Sequence, residues 1–129
     1  MQEIKGKNIS SSLEDYLEAI YEIYTEKRGV RAIDISKKLG VGRSSVTEAL
    51  KTLAQKHLVN YSRYGVLSLT PTGEEAAKNV IERHKVLYGF FKNTLNLDEQ
   101  EAQENACRVE HVLSEKAFRS LIDFVNNSS

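Results

Sequence analysis

The sequence predicts a mainly α-helical protein in which an N-terminal winged helix-turn-helix with a small β-hairpin wing precedes a helical C-terminal domain. Three observations support this prediction. Apolar residues recur at intervals of three and four along most of the chain, as on one face of a helix. A glycine turn, Gly40-Val41-Gly42, separates two short helical patterns. Two β-prone runs then flank another glycine-containing turn. We expect the domains to span residues 1–70 and 71–129.

The first two predicted helices are bounded by polar residues or glycine. A helix is predicted from Ser11 to about Lys27, with Ser11 and Glu14 in a capping box, and Gly29 ends it. A shorter helix is predicted from Arg31 to Leu39. Together they form the scaffold on which a recognition helix is presented.

The third helix and the wing follow the glycine turn. Ser44 or Ser45 is predicted to cap the third helix, with Glu48 completing a capping box, and the helix runs to about Lys56. The two strands of the wing are predicted at 60–62 and 66–69.

Three amphipathic patterns make up the C-terminal half. Thr70 is predicted to cap a helix that starts at Pro71 and reaches about Thr94, since proline is tolerated at the first helical position. A second helix is capped by Asp98 and Glu101, and Ser114 separates it from the last. The apolar positions of that last helix are Phe118, Leu121, Ile122 and Val125.

Composition excludes several classes of protein. The 129 residues, 40% of them apolar, suffice for a small core that a partner subunit would extend. No run of about 18 apolar residues predicts a membrane span, and the polar start predicts no signal peptide. A lone cysteine fits a reducing cytoplasm. We therefore expect a cytoplasmic protein without a membrane partner.

Charge is unevenly distributed although the net charge is zero. Residues 28–64 carry a net charge of +6, which leaves −6 for the remainder. Such a division favours a DNA-binding face joined to a cation-binding part, although a solvated surface with uneven charge remains an alternative. The basic residues of the segment are Arg28, Arg31, Lys37, Lys38, Arg43, Lys51, Lys56 and Arg63.

The predicted recognition helix begins with short polar side chains that allow close approach to DNA. Arg43 and Lys51 are candidates for phosphate or guanine contacts, and Arg63 is a candidate at the wing tip. The bland alternative is that the serines are only caps and the lysines only solubilise a helix. The candidate DNA-binding residues are Lys37, Lys38, Arg43, Ser44, Ser45, Thr47, Lys51 and Arg63.

A second candidate site is a transition-metal site. Cys107, Glu110 and His111 share one face of a predicted helix, because neighbours at i+3 and i+4 stack. A thiolate, a carboxylate and an imidazole that converge can bind a transition metal. His84 lies within an apolar stripe, where a hydrogen-bonded core histidine is the common alternative.

The order and spacing of these motifs resemble those of the DtxR/MntR family, the diphtheria-toxin-repressor-type metalloregulators. The resemblance covers about residues 11–126. It is carried by Leu13-Glu14-Asp15-Tyr16-Leu17-Glu18-Ala19-Ile20-Tyr21, Ser44-Ser45-Val46-Thr47, Leu69-Thr70-Pro71-Thr72-Gly73, Arg83-His84 and Ala106-Cys107-Arg108-Val109-Glu110-His111-Val112-Leu113-Ser114.

The resemblance implies a homodimer with a winged-helix domain and a helical dimerisation domain. It also implies a repressor that divalent metal activates to bind a palindromic DNA operator of metal-homeostasis genes. No organic cofactor is implied. The metal ligands that it implies are Asp15, Glu18, His84, Cys107, Glu110 and His111.

Individual positions differ between branches of that family. Asp15 and Glu18 match the manganese-sensing branch, whereas Cys107 matches the iron-sensing branch. The additional site of the iron branch needs a glutamate and a histidine where this chain has Tyr88 and Gln103. The resemblance is to the short type without an SH3-like domain. A thiolate favours iron, cobalt, nickel and zinc over manganese, so we expect iron(II) slightly before manganese(II).

Two other functions are weighed against a metal-dependent repressor. The first is a metal-independent winged-helix regulator that senses a thiol oxidant or small molecule through Cys107. The second is an enzyme with Cys107 and His111 as nucleophile and base. No phosphate loop or oxyanion-hole motif accompanies that pair, so we expect no enzymatic activity.

Overall fold

A computed structural model of the chain describes residues 9–62 and 65–128. It divides into two compact units, Met1–Lys78 and Asn79–Ser129, and the division falls inside a helix that begins at Pro71. None of the described helices combines the length and apolar character that crossing a membrane requires. Arg63 and Tyr64, at the predicted wing tip, lie outside the described residues.

The N-terminal unit has the predicted winged helix-turn-helix order. Its elements are α1 (Ser11–Lys27), β1 (Val30–Arg31), α2 (Ala32–Leu39), α3 (Arg43–Gln55), β2 (Val59–Tyr61) and β3 (Val66–Leu69), followed by the start of α4 (Pro71–Gly89). The strands form an antiparallel sheet in the order β1-β3-β2, with Val30 opposite Leu67 and Val59 opposite Leu69. The predicted hairpin is therefore confirmed, and β1 adds a strand that the sequence did not predict.

The core of this unit lies between the three helices and the sheet. Val46, Leu50 and Leu53, at helical spacing on one side of α3, form a fully buried stripe. Burying that stripe leaves the polar side of α3 facing solvent, where it can meet a ligand. The other fully buried large side chains of the core are Leu17, Ile20, Val30 and Ile35.

Two predicted helix caps are wrong by one to three residues. Ser10, not Ser11, caps α1 by accepting a hydrogen bond from the N–H of Leu13 at 3.2 Å. Gly42 is the N-cap of α3, so Ser44 and Ser45 already lie inside the helix. Gly42 has the extended backbone of an N-cap (φ −76°, ψ 163°), so the helix begins at Arg43, before either serine. Both serines are consequently available for another role.

Arg31 does not begin α2 as predicted, because it lies in β1 and forms the N-cap of that helix. The Asp34 carboxylate accepts a hydrogen bond from the N–H of Arg31 at 3.0 Å. It accepts a second hydrogen bond from Lys27 at 3.1 Å, with which it also forms an ion pair. Although desolvation by burial raises it, the pKa of Asp34 is lowered overall by these two hydrogen bonds. The carboxylate thus joins α1 to α2 in its charged form.

The start of α4 is held against the wing. Thr70 accepts a hydrogen bond from the N–H of Gly73 at 3.0 Å, which confirms the predicted cap. The backbone of Gly73 packs so closely on the carbonyl group of Leu58 that a β-carbon there would overlap it. Glycine is therefore required at this position by close approach.

The C-terminal unit contains the rest of α4, a π-helical turn (Phe90–Thr94), α5 (Glu99–Val109) and α6 (Glu115–Ser128). Helical structure does reach Thr94 as predicted, but its last turn is π rather than α. Asp98 caps α5 by accepting from the N–H of Glu101 at 2.8 Å, as predicted. The unit's buried apolar residues are Val80, Leu87, Ala102, Ala106 and Phe118.

Candidate metal centre and nucleic-acid interface

Four of the predicted metal ligands come together in the C-terminal unit. His84 lies on α4 and Cys107 lies on α5. Glu110 is the C-cap of α5 and keeps helical geometry (φ −57°, ψ −29°), whereas His111 lies in the turn beyond it. Since Val109 is the last residue of α5, the prediction that all three residues lie within one helix is wrong: Glu110 takes the C-cap position with helical geometry and His111 lies in the turn.

Glu110 is the centre of this cluster. Its side chain is buried, with the residue only 3% exposed. One carboxylate oxygen lies 2.8 Å from Nδ1 of His84, and the other lies 3.2 Å from Nε2 of His111. The Cys107 sulfur is 3.9 Å from the same Nδ1 of His84. A buried carboxylate requires hydrogen bonds or positive charge to compensate its desolvation, and the nearest polar groups here are two imidazoles.

Gln103 and Tyr88 flank the His84 ring. The Gln103 amide oxygen lies 2.6 Å from Nε2 of His84, an arrangement that favours a proton on Nε2. Nδ1 of the same ring lies 2.8 Å from a carboxylate oxygen of Glu110. The Tyr88 ring is parallel to the imidazole, at an interplanar angle of 8° and a centroid distance of 6.4 Å. Residues at the two positions where the iron branch has further ligands therefore contact His84 here.

The chemistry of this donor set fits a divalent transition metal. Two imidazole nitrogens, a carboxylate and a sulfur suit first-row divalent ions with intermediate softness. The thiol must lose its proton to bind, and any proton between His84 and Glu110 must leave as well. In metal sites the second ring nitrogen of a ligating histidine usually has a polar partner, and Gln103 occupies that position beside His84.

The other two predicted ligands belong to the N-terminal unit. Asp15 and Glu18 lie one turn apart on α1, and both are outside its buried stripe. Asp15 is exposed and Glu18 is partly buried. The structure thus assigns the six predicted ligands to α1 of one unit and to the cluster around Glu110 in the other.

Sequence reasoning missed a buried arginine beside this cluster. Arg83 donates hydrogen bonds to the backbone carbonyl groups of Glu110 and Leu113, at 3.2 and 2.7 Å. A signal was present in the sequence, since Arg83 falls between Val80 and Leu87 at helical spacing on an otherwise apolar face. A charged residue at such a position requires a buried partner.

The predicted DNA-binding residues lie on the solvent side of α2 and α3. Arg43, Ser44, Ser45 and Lys51 are exposed on α3, opposite its buried stripe. Lys37 and Lys38 are exposed in the last turn of α2. Thr47 is partly buried, and its hydroxyl donates to the carbonyl group of Arg43 at 3.0 Å. Arg63 lies outside the described residues.

The start of α3 has the features of an anion-binding end. No side chain caps the helix, because Gly42 has none to offer. The N–H groups of a helix's first turn need external acceptors, and phosphate oxygens serve well. Nearby lysines form weak surface pairs that DNA phosphates could replace, Lys38 with Glu22 at 3.4 Å and Lys51 with Glu48 at 3.9 Å.

Two protein-family models match nearly the whole chain. Residues 8–67 match the N-terminal DNA-binding domain of iron-dependent repressors. Residues 70–129 match the metal-binding and dimerisation domain of the same repressors.

Individual relatives agree with the family match. An uncharacterized HTH-type transcriptional regulator of Methanocaldococcus jannaschii is 38% identical over 118 residues, covering 91% of this chain and 94% of that protein. The HTH-type transcriptional regulator MntR of Bacillus pumilus is 34% identical, covering 88% of this chain and 78% of that protein. The structure of the manganese regulator SloR aligns with a TM-score of 0.78 at 30% identity and covers 88% of this chain. The chain spans about half of SloR (53%).

Proposed function

The chain belongs to the iron-dependent repressor family of metal-dependent transcriptional regulators, and from this premise we propose that it represses transcription as a metal-loaded homodimer on a palindromic operator. Its relatives are transcriptional regulators, so the chain is a regulator and not an enzyme. The proposed targets are metal-homeostasis genes, and the proposed site of action is the cytoplasm.

One observation carries the metal part of this proposal. Glu110 is buried with its two oxygens aimed at the imidazoles of His84 and His111, and a thiol lies beside them. A divalent cation bound there would stabilise the carboxylate, both imidazoles and the thiol together. We propose His84, Cys107, Glu110 and His111 as metal ligands.

The α1 carboxylates connect the metal to DNA binding in this proposal. By the family resemblance, Asp15 and Glu18 complete the ligand set from the N-terminal unit. A bound metal ion would supply positive charge that draws these carboxylates to the C-terminal ligands. Restricting α1 in this way would shift the population towards one spacing of the two recognition helices in a dimer. The coupling free energy between metal binding and DNA binding would be about 1–3 kcal/mol.

The exposed face of α3 is proposed to enter the major groove. Its first turn offers hydroxyl groups, uncapped N–H groups and the cationic Arg43 within one turn. These groups suit phosphate contacts that fix the register, and arginine can also read a guanine edge. We propose that Lys37, Lys38 and Lys51 contact DNA phosphates. Thr47 is proposed to contact DNA from the first turns of α3, and Arg63 from the wing.

Apolar surface of the C-terminal unit supports dimerisation. Large apolar side chains are exposed there, in a unit whose core is small. A second copy of the chain would cover such surface, in agreement with the dimerisation domain matched by residues 70–129. The exposed side chains are Leu95, Val112 and Phe124.

We propose iron(II) as the first candidate for the activating ion and manganese(II) as the second. Carboxylates and imidazoles suit both ions, and the Cys107 thiol shifts preference towards iron. Cobalt, nickel and zinc are expected to bind in vitro for the same reason. No organic cofactor is part of the proposal.

The test is a fluorescence-anisotropy titration of a candidate palindromic operator with manganese, iron(II), cobalt and zinc in turn. Each titration is paired with a measurement of metal bound per subunit. We expect operator affinity to rise at least about five-fold with one of the first two ions. Equal affinity in chelator and in every metal would contradict the proposal.

A Cys107→Ser variant separates this function from sensing of a thiol oxidant. If metal activates the protein, the variant keeps metal-dependent operator binding with a changed preference among ions. If oxidation of Cys107 were the signal, wild-type affinity would respond to peroxide and not to metal, and the variant would respond to neither.

A further inference from the structure

Arg83 is buried in the C-terminal unit with its charge fully engaged. The residue is 8% exposed. Its guanidinium donates to the carbonyl oxygens of Glu110 and Leu113 and pairs with Glu115 at 3.2 Å, and it lies 5.0 Å from the centroid of the Phe118 ring. Arginine presents several donors in a rigid fork, so one side chain can hold all these groups in fixed positions.

The segment that Arg83 contacts is the turn after α5, residues 110–113. The last carbonyl groups of a helix have no partner within the helix. The Arg83 guanidinium supplies donors and positive charge at this helix end, where the helix dipole favours a cation. Because the turn carries both Glu110 and His111, its position sets where these two ligands lie.

Arg83 is adjacent to the proposed ligand His84 on α4. The next residue, His84, is a ligand on the same helix and contacts the Glu110 side chain at 2.8 Å, while Arg83 holds the Glu110 backbone. One turn of α4 therefore contacts both the side chain and the main chain of the central ligand. The ion pair with Glu115 and the contact with Phe118 extend the same arrangement to α6.

We propose that Arg83 is a positioning residue of the metal centre, which holds the 110–113 turn so that Glu110 and His111 face His84 and Cys107. This inference rests on the proposed metal-binding function. It assigns Arg83 no contact with the metal itself.

The experiment compares wild type with Arg83→Gln, Arg83→Lys and a matched control, Arg119→Gln. Arg119 pairs with the same Glu115 at 3.0 Å but is exposed. In metal-free protein, amide hydrogen exchange of residues 110–113 is measured. Cobalt(II) is then titrated at a temperature where every variant is folded, and the absorption spectrum is followed.

We expect faster exchange in the 110–113 turn and about 10- to 100-fold weaker cobalt binding in Arg83→Gln. Arg83→Lys keeps the charge but offers a single nitrogen, so its losses should be smaller. The thiolate-to-cobalt band of Cys107 should persist in both variants while the ligand-field bands change, because Cys107 lies within α5 before the turn. Arg119→Gln should match wild type.

A purely structural role would lower the unfolding temperature of the Arg83 variants while leaving cobalt affinity and spectrum at wild-type values in the folded protein. That result would overturn the inference. If Arg83→Gln does not fold, Arg83→Lys decides by the same criteria. Wild-type protein that binds no cobalt would refute the proposed function instead, and His84→Ala gives the spectrum expected when a ligand is lost.

Discussion

The two units of this chain differ in where their functionally important charged residues lie. In the described part of the N-terminal unit, the core is apolar and the basic residues of α2 and α3 are exposed. In the C-terminal unit, Arg83 and Glu110 are buried and engaged at short distances. The same kinds of side chain thus serve one unit as a solvated surface and the other as an internal framework.

This difference follows from what each unit must recognise. A DNA phosphate is large, external and contacted through salt-dependent charge, so exposed side chains on a rigid helix suffice. A metal ion is small and demands donors at fixed distances, so its ligands need supporting contacts. Substitutions in the two units should therefore fail differently, and four variants test that contrast.

The largest effect is expected for Glu110→Gln, which removes the central charge of the metal centre and keeps its shape. Both imidazoles lose their shared carboxylate, so metal affinity should fall by more than about 100-fold, beyond the loss of a supporting partner. Metal-dependent operator binding should vanish with helix content unchanged. Isothermal titration calorimetry measures the metal affinity, and circular dichroism measures the helix content. Glu104→Gln, exposed on α5, is the control, and unchanged metal affinity in Glu110→Gln would contradict the assignment.

A smaller effect is expected for Arg43→Ala on the exposed side of α3. Operator affinity should fall by about 1–3 kcal/mol if Arg43 reads a guanine. If Arg43 binds phosphate, the slope of log affinity against log salt should decrease by about one for each lost contact. Metal affinity should not change. Lys92→Ala, exposed in the C-terminal unit, is the control, and an Arg43 variant with normal affinity and slope would remove Arg43 from the interface.

A modest effect is expected for Gln103→Leu, which removes the acceptor for Nε2–H of His84. The ring should then sample the other tautomer, and metal affinity should fall by about 10-fold. Nitrogen chemical shifts of His84 in metal-free protein report the tautomer directly. Gln103→Glu keeps an acceptor and should retain the Nε2–H form. An unaltered tautomer in the leucine variant would show that Gln103 does not orient His84.

The smallest effect is expected for Asp34→Asn, in the N-terminal unit. Because the folded-state pKa of Asp34 is lowered from 3.8, its charged form stabilises the fold above about pH 4. That contribution is lost as pH falls through the folded-state pKa. Wild type should therefore exceed the variant in unfolding free energy by at most about 1 kcal/mol at neutral pH, and the difference should shrink in acid. Glu26→Gln is the control, and a pH-independent difference would contradict this role.

Sequence reasoning succeeded where periodicity is strong and failed where short contacts decide. The α3 stripe of Val46, Leu50 and Leu53 was predictable because burial of a helix face leaves a regular pattern. The two-residue strand β1 was not, since Val30 and Arg31 are too short a run to show a period. Its pairing with β3 depends on a contact distant in sequence.

The candidate metal centre shows the same division. Spacing and family resemblance selected His84, Cys107, Glu110 and His111, and the structure gathers these four. The end of α5 at Val109 was not predictable from helical spacing, because a capping contact from Arg83 on another helix stabilises the turn. The role of Gln103 likewise could not be predicted, because it depends on contact between Gln103 on α5 and His84 on α4.

The central claim is that metal binding at the Glu110 cluster controls operator binding by α3. Thermodynamic linkage tests it directly, by measuring the metal affinity of the wild-type protein with and without saturating operator DNA. If the two events are coupled, operator should raise metal affinity by the same factor by which metal raises operator affinity, about 5- to 150-fold. Identical metal affinity with and without the operator would contradict the claim.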